Sequence, residues 1–480
     1  MSVINKTIKK QLFINGEWLN SKEYTPLFSP YSRELIAEIP FATVEEVDLA
    51  IEAAYQTRNT MSEMPSHQRA KILENLANLI EKLSDEAAKI IAEEAAKPIN
   101  TAKVEVARTI QTYKFAAEEA KRLSGETIPM DAAPGGEGRL AYTVREPLGV
   151  IGAITPFNFP MNLVAHKVGP AIAAGNTIVL KPASQTPLSS YFLAELLQEA
   201  GLPSGAFNVV TGSGTVVGEK LIADDRVKKI TFTGSPEVGI GIRNKAGLKH
   251  VTLELGSNAA LIVDRNVDVE KIVPRCVTGA FGFQGQVCIS LQRIYVHKDN
   301  YNSFVESFIK ATENLIVGDP LDSQTDVSAL ISSKDVERSL NWIEDAKQHG
   351  AIVATGGTSE GNILNPTVLL GVDATSKVSC QEVFAPIVLI NKVDSVEEGI
   401  DLVNDSRFGL QAGIYTENIH TAMHASKKLH VGGVLINDIP TFRVDHMPYG
   451  GVKESGVGRE GIKYAIKEMT ELKLVIFNNN

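Results

Sequence analysis

The stretch Gly149-Val150-Ile151-Gly152-Ala153-Ile154-Thr155 decides the fold of this chain, because it begins a regular alternation of short apolar runs with helical patterns. Three similar runs follow it, at 177–181, 207–211 and 229–233. Helical patterns lie between these runs at 188–200 and 216–222. Such an alternation is typical of parallel strands with helices on both faces of the sheet. The sequence therefore predicts a doubly wound α/β domain.

A second series of the same kind follows Glu254. Its strand-like runs lie at 260–263, 293–297 and 387–392, and its helix-like segments lie at 301–315, 334–349 and 396–404. Apolar residues at helical spacing also predict helices over 69–97 and 101–123. A chain of 480 residues is too long for one ordinary core. We therefore expect two or three domains, at least two of them α/β.

Two segments stand apart from both series. Residues 124–144 carry Gly135, Gly136 and Gly138 between two extended runs, as a protruding hairpin would. The last apolar run, 472–477, is a strand with no obvious partner in the neighbouring sequence. Strand edges of this kind promote aggregation unless a second subunit covers them. We therefore expect a homo-oligomer.

Composition argues against several classes of function. The chain is 44% apolar and 22% charged, as soluble globular proteins are, and its net charge of −10 disfavours nucleic acid or an anionic membrane as a partner. An anionic small molecule stays possible, because a local pocket can be basic on an acidic protein. The cysteines Cys276, Cys288 and Cys380 lack metal-ligand spacing, which predicts no metal site, and they suit a reducing compartment. With no apolar leader or membrane span in the sequence, we expect a cytoplasmic protein.

Three residues are candidates for chemistry. Cys288 follows Gly285-Gln286-Val287, where glycine and small or polar neighbours leave the backbone free to approach a ligand. Glu254 is an acid inside an apolar run, and Asn158 lies in a Pro-Phe-Asn-Phe-Pro stretch. A thiol nucleophile, a carboxylate base and an amide donor are the parts needed for acyl chemistry through a thioester. Taken singly, each also has an ordinary interpretation, as a small buried hydrophobe, a solvated acid or a turn former.

A candidate phosphate-binding turn lies at 228–239. The apolar run ends at Gly234-Ser235, and Gly239 falls in the first turn of the next helix, where backbone N–H groups favour a phosphate. The spacing is not GxGxxG, so the turn alone favours an ordinary strand–turn–helix connection. Lys181 strengthens the signal, because it ends an apolar run at the edge where open α/β sheets bind ligands.

Seven motifs occur in order along the chain. They are Pro156-Phe157-Asn158-Phe159-Pro160, Lys181-Pro182-Ala183, Phe232-Thr233-Gly234-Ser235, Leu253-Glu254-Leu255-Gly256, Gly285-Gln286-Val287-Cys288, Glu382-Val383-Phe384-Ala385-Pro386 and Pro448-Tyr449-Gly450-Gly451-Val452-Lys453-Glu454-Ser455-Gly456. Several motifs in the correct order are far more specific than any one of them alone. The chain resembles the NAD(P)-dependent aldehyde dehydrogenase superfamily, and the resemblance covers nearly the whole chain.

The resemblance implies three structural units. A Rossmann-like NAD(P)-binding domain would take residues 1–123 and 149–253, and an α/β catalytic domain would take 254–465. A small β oligomerisation element would take 124–148 and 466–480, the hairpin and the terminal strand noted above. The expected assembly is a homodimer or a homotetramer.

The same resemblance implies a role for each candidate catalytic residue. Cys288 would attack the aldehyde carbon, and Asn158 with the Cys288 N–H would hold the oxyanion. Hydride transfer to the nicotinamide would leave a thioester. Glu254 would activate either the thiol or the hydrolytic water that releases the acid.

Cofactor contacts are also implied by the resemblance. Lys181 would contact the adenosine ribose, Ser235 the pyrophosphate and Glu382 the nicotinamide ribose. Gly234 would let the backbone approach the pyrophosphate, and Phe384 would pack near the nicotinamide. The remaining cofactor candidates are Thr155, Pro156, Phe157 and Ser184.

Two departures from the family pattern are informative. Relatives that prefer NAD often carry Glu at the position of Ser184, where it would bind the ribose 2′-hydroxyl and repel a 2′-phosphate. Ser184 removes this repulsion and Lys181 adds attraction, so we expect NADP to be tolerated or preferred over NAD. Ala385 replaces a more usual glycine, and we expect that change to be mild.

Substrate-facing positions are unusually polar for the family. Arg108 and Arg443 come from separate segments that line the substrate entrance in relatives, where apolar residues are common. Two partly desolvated arginines would clamp a carboxylate, phosphate or sulfonate. We therefore expect a small anionic aldehyde, in some cases hydroxylated. Further candidates for substrate contact are Phe159, Asn162, His166 and, more weakly, Arg293.

The residues from Gly285 to Arg293 resemble the lactaldehyde and sulfolactaldehyde branch. Phosphonoacetaldehyde and non-phosphorylating glyceraldehyde-3-phosphate dehydrogenases often place Arg directly before the cysteine, where this chain has Val287. Succinate semialdehyde remains open as a substrate. Three other classes are a CoA-acylating enzyme, which often lacks the Glu at position 254, a cofactor-free cysteine hydrolase, and a non-enzymatic relative with a damaged site.

Overall fold

A computed structural model describes residues 8–479 of the protein. The strands are β1 (Ile8–Lys9), β2 (Leu12–Ile14), β3 (Glu17–Leu19), β4 (Glu23–Phe28), β5 (Leu35–Phe41), β6 (Thr127–Ile128), β7 (Arg139–Pro147), β8 (Val150–Ile154), β9 (Thr177–Lys181), β10 (Phe207–Val209), β11 (Val227–Thr233), β12 (His250–Glu254), β13 (Ala260–Val263), β14 (Arg293–His297), β15 (Ile352–Thr355), β16 (Ser359–Glu360), β17 (Ile363–Leu364), β18 (Thr367–Leu370), β19 (Ile387–Val393), β20 (Phe408–Gly409), β21 (Gln411–Tyr415), β22 (Gly433–Ile436), β23 (Val452–Lys453), β24 (Gly456–Val457) and β25 (Thr470–Asn478).

Helices occupy much of the rest of the chain. They are α1 (Val44–Glu63), α2 (Ser66–Lys82), α3 (Ser84–Ala95), α4 (Ile99–Ala120), α5 (Asn162–Ala174), α6 (Leu188–Glu199), α7 (Glu219–Ala223), α8 (Pro236–Lys245), α9 (Val269–Phe281), α10 (Lys298–Glu313), α11 (Ser333–Gln348), α12 (Lys377–Cys380), α13 (Val396–Asn404), α14 (Ile419–Lys428) and α15 (Ile462–Glu468).

The first sheet confirms the predicted doubly wound α/β domain. Its order is β24-β12-β11-β8-β9-β10-β2-β3, and the five strands from β12 to β10 are parallel. Alternate side chains pack on opposite faces, as the pleat requires. In β9, Ile178 and Leu180 belong to a core with α2, α4, α5 and α6, whereas Val179 belongs to one with α1 and α7. Burial on both faces explains why these strands are continuous apolar runs.

The second sheet has the order β15-β18-β19-β14-β13-β21-β22, and only β15 runs antiparallel. Strands β13 and β14 have the bounds that the sequence predicts. Helices α9 and α10 pack on one face of this sheet, and α13 and α14 contribute to the core on the other. The loop that carries Cys288 leaves the C-terminal end of α9.

The terminal strand corrects one expectation. Instead of lacking a partner, β25 pairs antiparallel with β7 along nine residue pairs, from Thr470 opposite Pro147 to Asn478 opposite Arg139. The predicted hairpin forms as well, because β6 pairs with β7. The partner of β25 lies more than three hundred residues earlier in the chain, so sequence neighbours could not reveal it. Leu472, Leu474 and Ile476 are exposed along the strand.

Three boundaries differ from the sequence expectation. The helix predicted over 69–97 breaks at Leu83 into α2 and α3. The one predicted over 216–222 is a π-helical turn, Gly214–Gly218, followed by the short α7. The range 254–465 includes elements that return to the first domain, since β24 joins the first sheet and α15 packs on α4 and α5. Within residues 8–479, no helix is both long and apolar enough to cross a membrane.

Candidate active site

Cys288 lies in a loop with an unusual backbone. Phe283, Gln284 and Gly285 have successive left-handed φ values of 48°, 56° and 69°. At Gly285 a Cβ atom would lie 2.2 Å from the Ala385 carbonyl oxygen, so only glycine fits there. Left-handed conformations of non-glycine residues cost free energy and are maintained only where the surroundings impose them. The fold therefore holds the cysteine loop in a defined conformation against the segment around Ala385.

Cys288 stands where two chambers meet. The first chamber, with a volume of about 450 Å³, is lined by residues that include Arg108, Phe159, Asn162, Cys288, Arg443 and Tyr449. The second chamber, with a volume of about 560 Å³, is lined by residues that include Pro156, Phe157, Asn158, Gly234, Ser235, Glu254, Cys288, Glu382 and Phe384. The thiol is thus open to ligands from two sides.

The Asn158 side chain is oriented by the cysteine loop. Its Nδ2 donates one hydrogen to the Gln286 carbonyl oxygen at 2.9 Å, which leaves its second hydrogen free. Lys97 is buried, and its Nζ donates to the Asn158 carbonyl oxygen at 2.6 Å and to the Glu105 carboxylate. Among the described residues, the Cys288 N–H has no hydrogen-bond partner. Two donors close to the thiol are therefore available to a negatively charged oxygen.

Glu254 ends β12 and lines the second chamber together with Cys288. It is 4% exposed, and its Oε1 has no hydrogen-bond partner within residues 8–479. Burial, and then the neighbouring Glu460 carboxylate, raise the pKa of Glu254 well above its usual range. A buried carboxylate with a raised pKa and a free oxygen is suited to take a proton from water.

Tyr449 contacts the Cys288 thiol, although it was not predicted as a site residue from the sequence. Its hydroxyl lies 3.0 Å from Cys288 Sγ. Burial raises the pKa of the Cys288 thiol to about 11, while the Tyr449 hydrogen bond and the Arg443 cation act in the opposite direction. The sequence offers one signal for this contact, because Tyr449 belongs to the motif that runs from Pro448 to Gly456.

The second chamber combines a helix N-terminus with a half-buried carboxylate. Ser235 is the N-cap of α8, and its Oγ accepts from the Val238 N–H at 3.4 Å. A Cβ atom at Gly234 would lie 2.5 Å from the Phe232 ring, so a larger residue at this turn would have to displace that ring. Glu382 accepts a hydrogen bond from the Ser257 N–H at 2.9 Å, and burial raises the pKa of Glu382 to about 7.

Aromatic side chains form another part of the wall of the second chamber. The Phe157 and Phe384 rings meet edge to face, with centroids 5.7 Å apart. The remaining cofactor candidates, Thr155, Lys181 and Ser184, lie near this chamber but are not part of the wall described for it. Thr155 is buried with an unpartnered hydroxyl within the described chain, and Ser184 is exposed. Lys181 ends β9, and burial lowers the pKa of its ammonium group.

Arg108 lies on α4 and is bound to a carboxylate that the sequence did not single out. Its Nε and Nη2 donate to the two oxygens of Asp445 at 3.1 and 2.7 Å. Asn162 Nδ2 also donates to Asp445, at 3.1 Å, and His166 Nε2 lies 2.8 Å from it. Burial raises the pKa of Asp445, but the contacts with His166 and Arg108 outweigh it and hold that pKa well below its usual range.

Arg443 is the more deeply buried arginine of the first chamber. Its side chain is 6% exposed, and its Nη2 donates to Glu460 at 3.0 Å. The guanidinium stacks over the Tyr449 ring, 3.7 Å from the centroid. The Nε–H has no partner within residues 8–479. A buried donor without a partner is uncommon in folded proteins and calls for an explanation.

Glu460 links Arg443 to the first sheet. Its other oxygen, Oε1, accepts from Lys167 Nζ at 3.2 Å. Burial raises the pKa of Glu460, but its cationic neighbours, Lys167 and Arg443, lower it to about 2. The carboxylate is therefore ionised at neutral pH and keeps one cationic partner even if the other is removed.

Two predicted substrate residues lie elsewhere. His166 is buried behind the first chamber, because it is one turn beyond Asn162 on α5 and faces Asp445 instead of the chamber. Arg293 lies in the second sheet, where its guanidinium donates to the Asn258 and Leu402 carbonyl oxygens at 2.8 and 3.0 Å. Neither side chain is in a position to contact a molecule in the first chamber.

Comparison with known proteins identifies the family. The family model described as "Aldehyde dehydrogenase family" matches residues 18–475. A 3-sulfolactaldehyde dehydrogenase of Priestia aryabhattai is 46% identical over 479 residues, covering 100% of both chains. A lactaldehyde dehydrogenase of Methanococcus aeolicus is 41% identical over 97% of this chain and 100% of its own.

A solved structure supports the same family assignment through its fold. The glyceraldehyde-3-phosphate dehydrogenase of Methanocaldococcus jannaschii, complexed with NADP, superposes with a TM-score of 0.92 at 41% identity and covers 95% of this chain and 100% of its own. Both the sequence match and the superposition extend over nearly the whole chain. The protein therefore belongs to the aldehyde dehydrogenase family and is an NAD(P)-dependent aldehyde dehydrogenase.

Proposed function

We propose that this enzyme oxidises a small anionic, in some cases hydroxylated, aldehyde such as sulfolactaldehyde to its carboxylic acid. The observation that carries the proposal is the unpartnered Nε–H of Arg443, which is buried in the wall of the chamber that also contains Cys288. A sulfonate, carboxylate or phosphate oxygen is the acceptor that a guanidinium binds best. A neutral, apolar aldehyde would leave this donor unsatisfied.

The charge balance around the first chamber supports an anionic substrate. Three cations and two ionised carboxylates form one connected network, so one positive charge is left uncompensated; the cations are Arg108, Arg443 and Lys167, and the carboxylates are Asp445 and Glu460. Burial and the neighbouring Glu460 raise the pKa of the nearby Glu254 well above its usual range, which disfavours its negative charge. His166 is neutral, because burial and the adjacent Arg443 lower its pKa.

The catalytic groups support oxidation through a thioester. In the proposed sequence, the Cys288 thiolate attacks the carbonyl carbon, while Asn158 Nδ2 and the Cys288 N–H hold the resulting oxyanion. Loss of hydride then leaves a thioester on Cys288. Glu254 removes a proton from water, the water oxygen attacks the thioester carbon, and the acid leaves as the thiolate is restored.

The second chamber fits a dinucleotide on its own geometry. Gly234 and Ser235 line it at the N-terminus of α8, and the Glu382 carboxylate lines it as well. Lys181, Ser235 and Glu382 would hold the cofactor at the ribose, the pyrophosphate and the nicotinamide ribose. When bound, NAD(P) supplies the acceptor for the hydride.

The relatives support the substrate class without naming the substrate. Sulfolactaldehyde and glyceraldehyde 3-phosphate, named for two of the relatives, are anionic, whereas lactaldehyde is neutral. Val287 disfavours the glyceraldehyde-3-phosphate and phosphonoacetaldehyde alternatives, and succinate semialdehyde stays a candidate. The presence of Glu254 favours water over CoA as the acyl acceptor. A cysteine hydrolase would not need the second chamber.

A matched pair of aldehydes tests the proposal. Sulfolactaldehyde is lactaldehyde with a sulfonate on C3, so the two differ in the group that Arg443 would bind. We expect Arg443→Leu to lower kcat/KM for sulfolactaldehyde about 10–100-fold more than for lactaldehyde, because charged hydrogen bonds are lost. Both rates are measured as the increase in absorbance of reduced nicotinamide, in assays without added CoA.

Arg275→Leu is the control for that experiment. Arg275 also lines the first chamber, but it is half exposed and paired through two hydrogen bonds with Asp438. The Arg275→Leu variant should leave the ratio of kcat/KM for sulfolactaldehyde to kcat/KM for lactaldehyde unchanged. Equal losses for both aldehydes in the Arg443 variant would reject the anion-binding role.

Cofactor preference is a separate proposal. We expect Ser184→Glu to lower kcat/KM for NADP at least about tenfold and to change the value for NAD little, because a carboxylate at this exposed position would repel the 2′-phosphate. Gln185→Glu adds the same charge one residue away and serves as the control. Wild-type turnover with NADP far below that with NAD would contradict the proposed tolerance of NADP.

The division into units and the assembly are further proposals. The first sheet with its helices would be the NAD(P)-binding domain, and the second sheet would be the catalytic domain. The third sheet, β25-β7-β6, would be the oligomerisation element, since Leu472, Leu474 and Ile476 of β25 are exposed. The expected assembly is a homodimer or a homotetramer.

A further inference from the structure

We propose that Tyr449 is a further catalytic residue, whose hydroxyl donates a hydrogen bond to the Cys288 thiolate and stabilises it before attack. This inference rests on the proposed role of Cys288 as the nucleophile. The hydroxyl oxygen lies 3.0 Å from Cys288 Sγ, which is hydrogen-bond distance for a sulfur acceptor. No other hydrogen-bond partner of this hydroxyl is present among the described residues.

Tyr449 has little freedom to move away from the thiol. It is 3% exposed, and its backbone pairs in both directions with Glu460, at 3.0 and 2.7 Å. The Arg443 guanidinium covers one face of its ring at 3.7 Å. A fixed donor loses little conformational entropy when the thiolate forms, so the hydrogen bond is retained as stabilisation of that thiolate.

The charges around the pair set the direction of the hydrogen bond. A thiolate is only an acceptor, so the neutral phenol has to be the donor in the reactive form. Burial, and then the proximity of Cys288, raise the pKa of Tyr449 well above its usual range, so the phenol keeps its proton at neutral pH. Arg443 adds a cation over the ring, which makes the hydroxyl a stronger donor.

The groups around Cys288 act in opposite directions on the pKa of its thiol. Burial raises the pKa of Cys288 to about 11, and the carboxylates of Glu382 and Glu254 act in the same direction. Tyr449 and Arg443 are the groups that oppose this rise. At neutral pH the thiolate is therefore a minor form, and its population depends directly on each donor. Phenylalanine at position 449 would fill the same space without the donor.

Alkylation of Cys288 by iodoacetamide tests the proposal without aldehyde or cofactor. Mass spectrometry of peptides separates Cys288 from Cys276 and Cys380. We expect Tyr449→Phe to slow alkylation of Cys288 about tenfold at neutral pH, because a hydrogen bond to a charged group is lost. The pH at which the thiol becomes half reactive should rise accordingly.

Tyr113→Phe is the matched control. Tyr113 is also fully buried, and its hydroxyl has no partner within residues 8–479, so the same atom is removed without changing the site. In the Tyr113→Phe variant, Cys288 should be alkylated at the wild-type rate. Thermal unfolding measurements check that both variants are folded. An unchanged or faster rate in Tyr449→Phe would overturn the proposal. Retained turnover in Cys288→Ala would instead overturn the proposed function, so the two failures are distinguishable.

Discussion

Replacing Glu254 with glutamine is expected to leave the first burst of reduced nicotinamide intact and to lower steady-state turnover about 10²–10⁴-fold, the contribution typical of a general base. Thioester formation needs the thiol and a hydride acceptor, whereas hydrolysis needs a base for water. The variant should therefore accumulate a thioester on Cys288. Rapid mixing with an anionic aldehyde and NAD(P), followed by mass spectrometry of the acid-quenched protein, measures both quantities.

The environment of Glu254 also predicts how hydrolysis depends on pH. Its pKa is raised because the side chain is buried and lies near Glu460, so at a given pH a smaller fraction is ionised than for an ordinary carboxyl group, and this fraction grows as pH rises. Steady-state turnover of the wild type should increase with pH through this raised pKa. The glutamine variant has no group to ionise at this position and should lack that increase.

Glu94→Gln is the control for the Glu254 variant. Glu94 is another fully buried carboxylate whose pKa is raised by burial, to about 8, and it accepts hydrogen bonds from the start of α6 instead of facing either chamber. Its variant should retain the burst and the turnover. Loss of the burst in Glu254→Gln would assign Glu254 to activation of the thiol, the other role that the family resemblance allows.

The fold was predictable wherever local pattern is decisive. Strands β9, β13 and β14 lie at their predicted positions because both of their faces are buried and each is a continuous apolar run. The pairing of β25 with β7 was not predictable from local pattern, because it joins residues more than three hundred positions apart. Nor did helical periodicity reveal the break at Leu83, since the apolar spacing continues across it.

In the candidate site, too, side-chain contacts between separate segments could not be predicted from the sequence. The family resemblance pointed to Arg108 and Arg443, and both line the first chamber. It did not point to their partners, Asp445 and Glu460, because an ion pair between distant segments leaves no local pattern. The resemblance predicts His166 as a substrate contact, whereas in the structure its side chain lies against the Asp445 carboxylate. Polar residues near an expected pocket can thus serve the protein's own buried charges.

Asn158→Ala is expected to lower kcat about 10²–10³-fold while leaving alkylation of free Cys288 nearly unchanged, because removal of one oxyanion donor has an effect of that size. The Asn158 amide has one hydrogen engaged with the Gln286 carbonyl oxygen and one free. The free hydrogen and the Cys288 N–H would bind the oxygen only once it becomes an oxyanion, so the loss should appear in kcat more than in KM.

A structural explanation of the same loss can be separated from the catalytic one. Asn391 also uses its side-chain amide to bond main chain, at the Val372 N–H and carbonyl oxygen, but it lies outside both chambers. Asn391→Ala should lower the unfolding temperature to a similar degree and keep kcat. If Asn158→Ala loses alkylation and turnover in equal proportion, the amide acts by positioning the cysteine loop and not by binding the oxyanion. The expected result is a selective loss of kcat, since Gln284 of the cysteine loop donates to the Ala96 and Ala329 carbonyl oxygens and would keep the loop in place without the Asn158 amide.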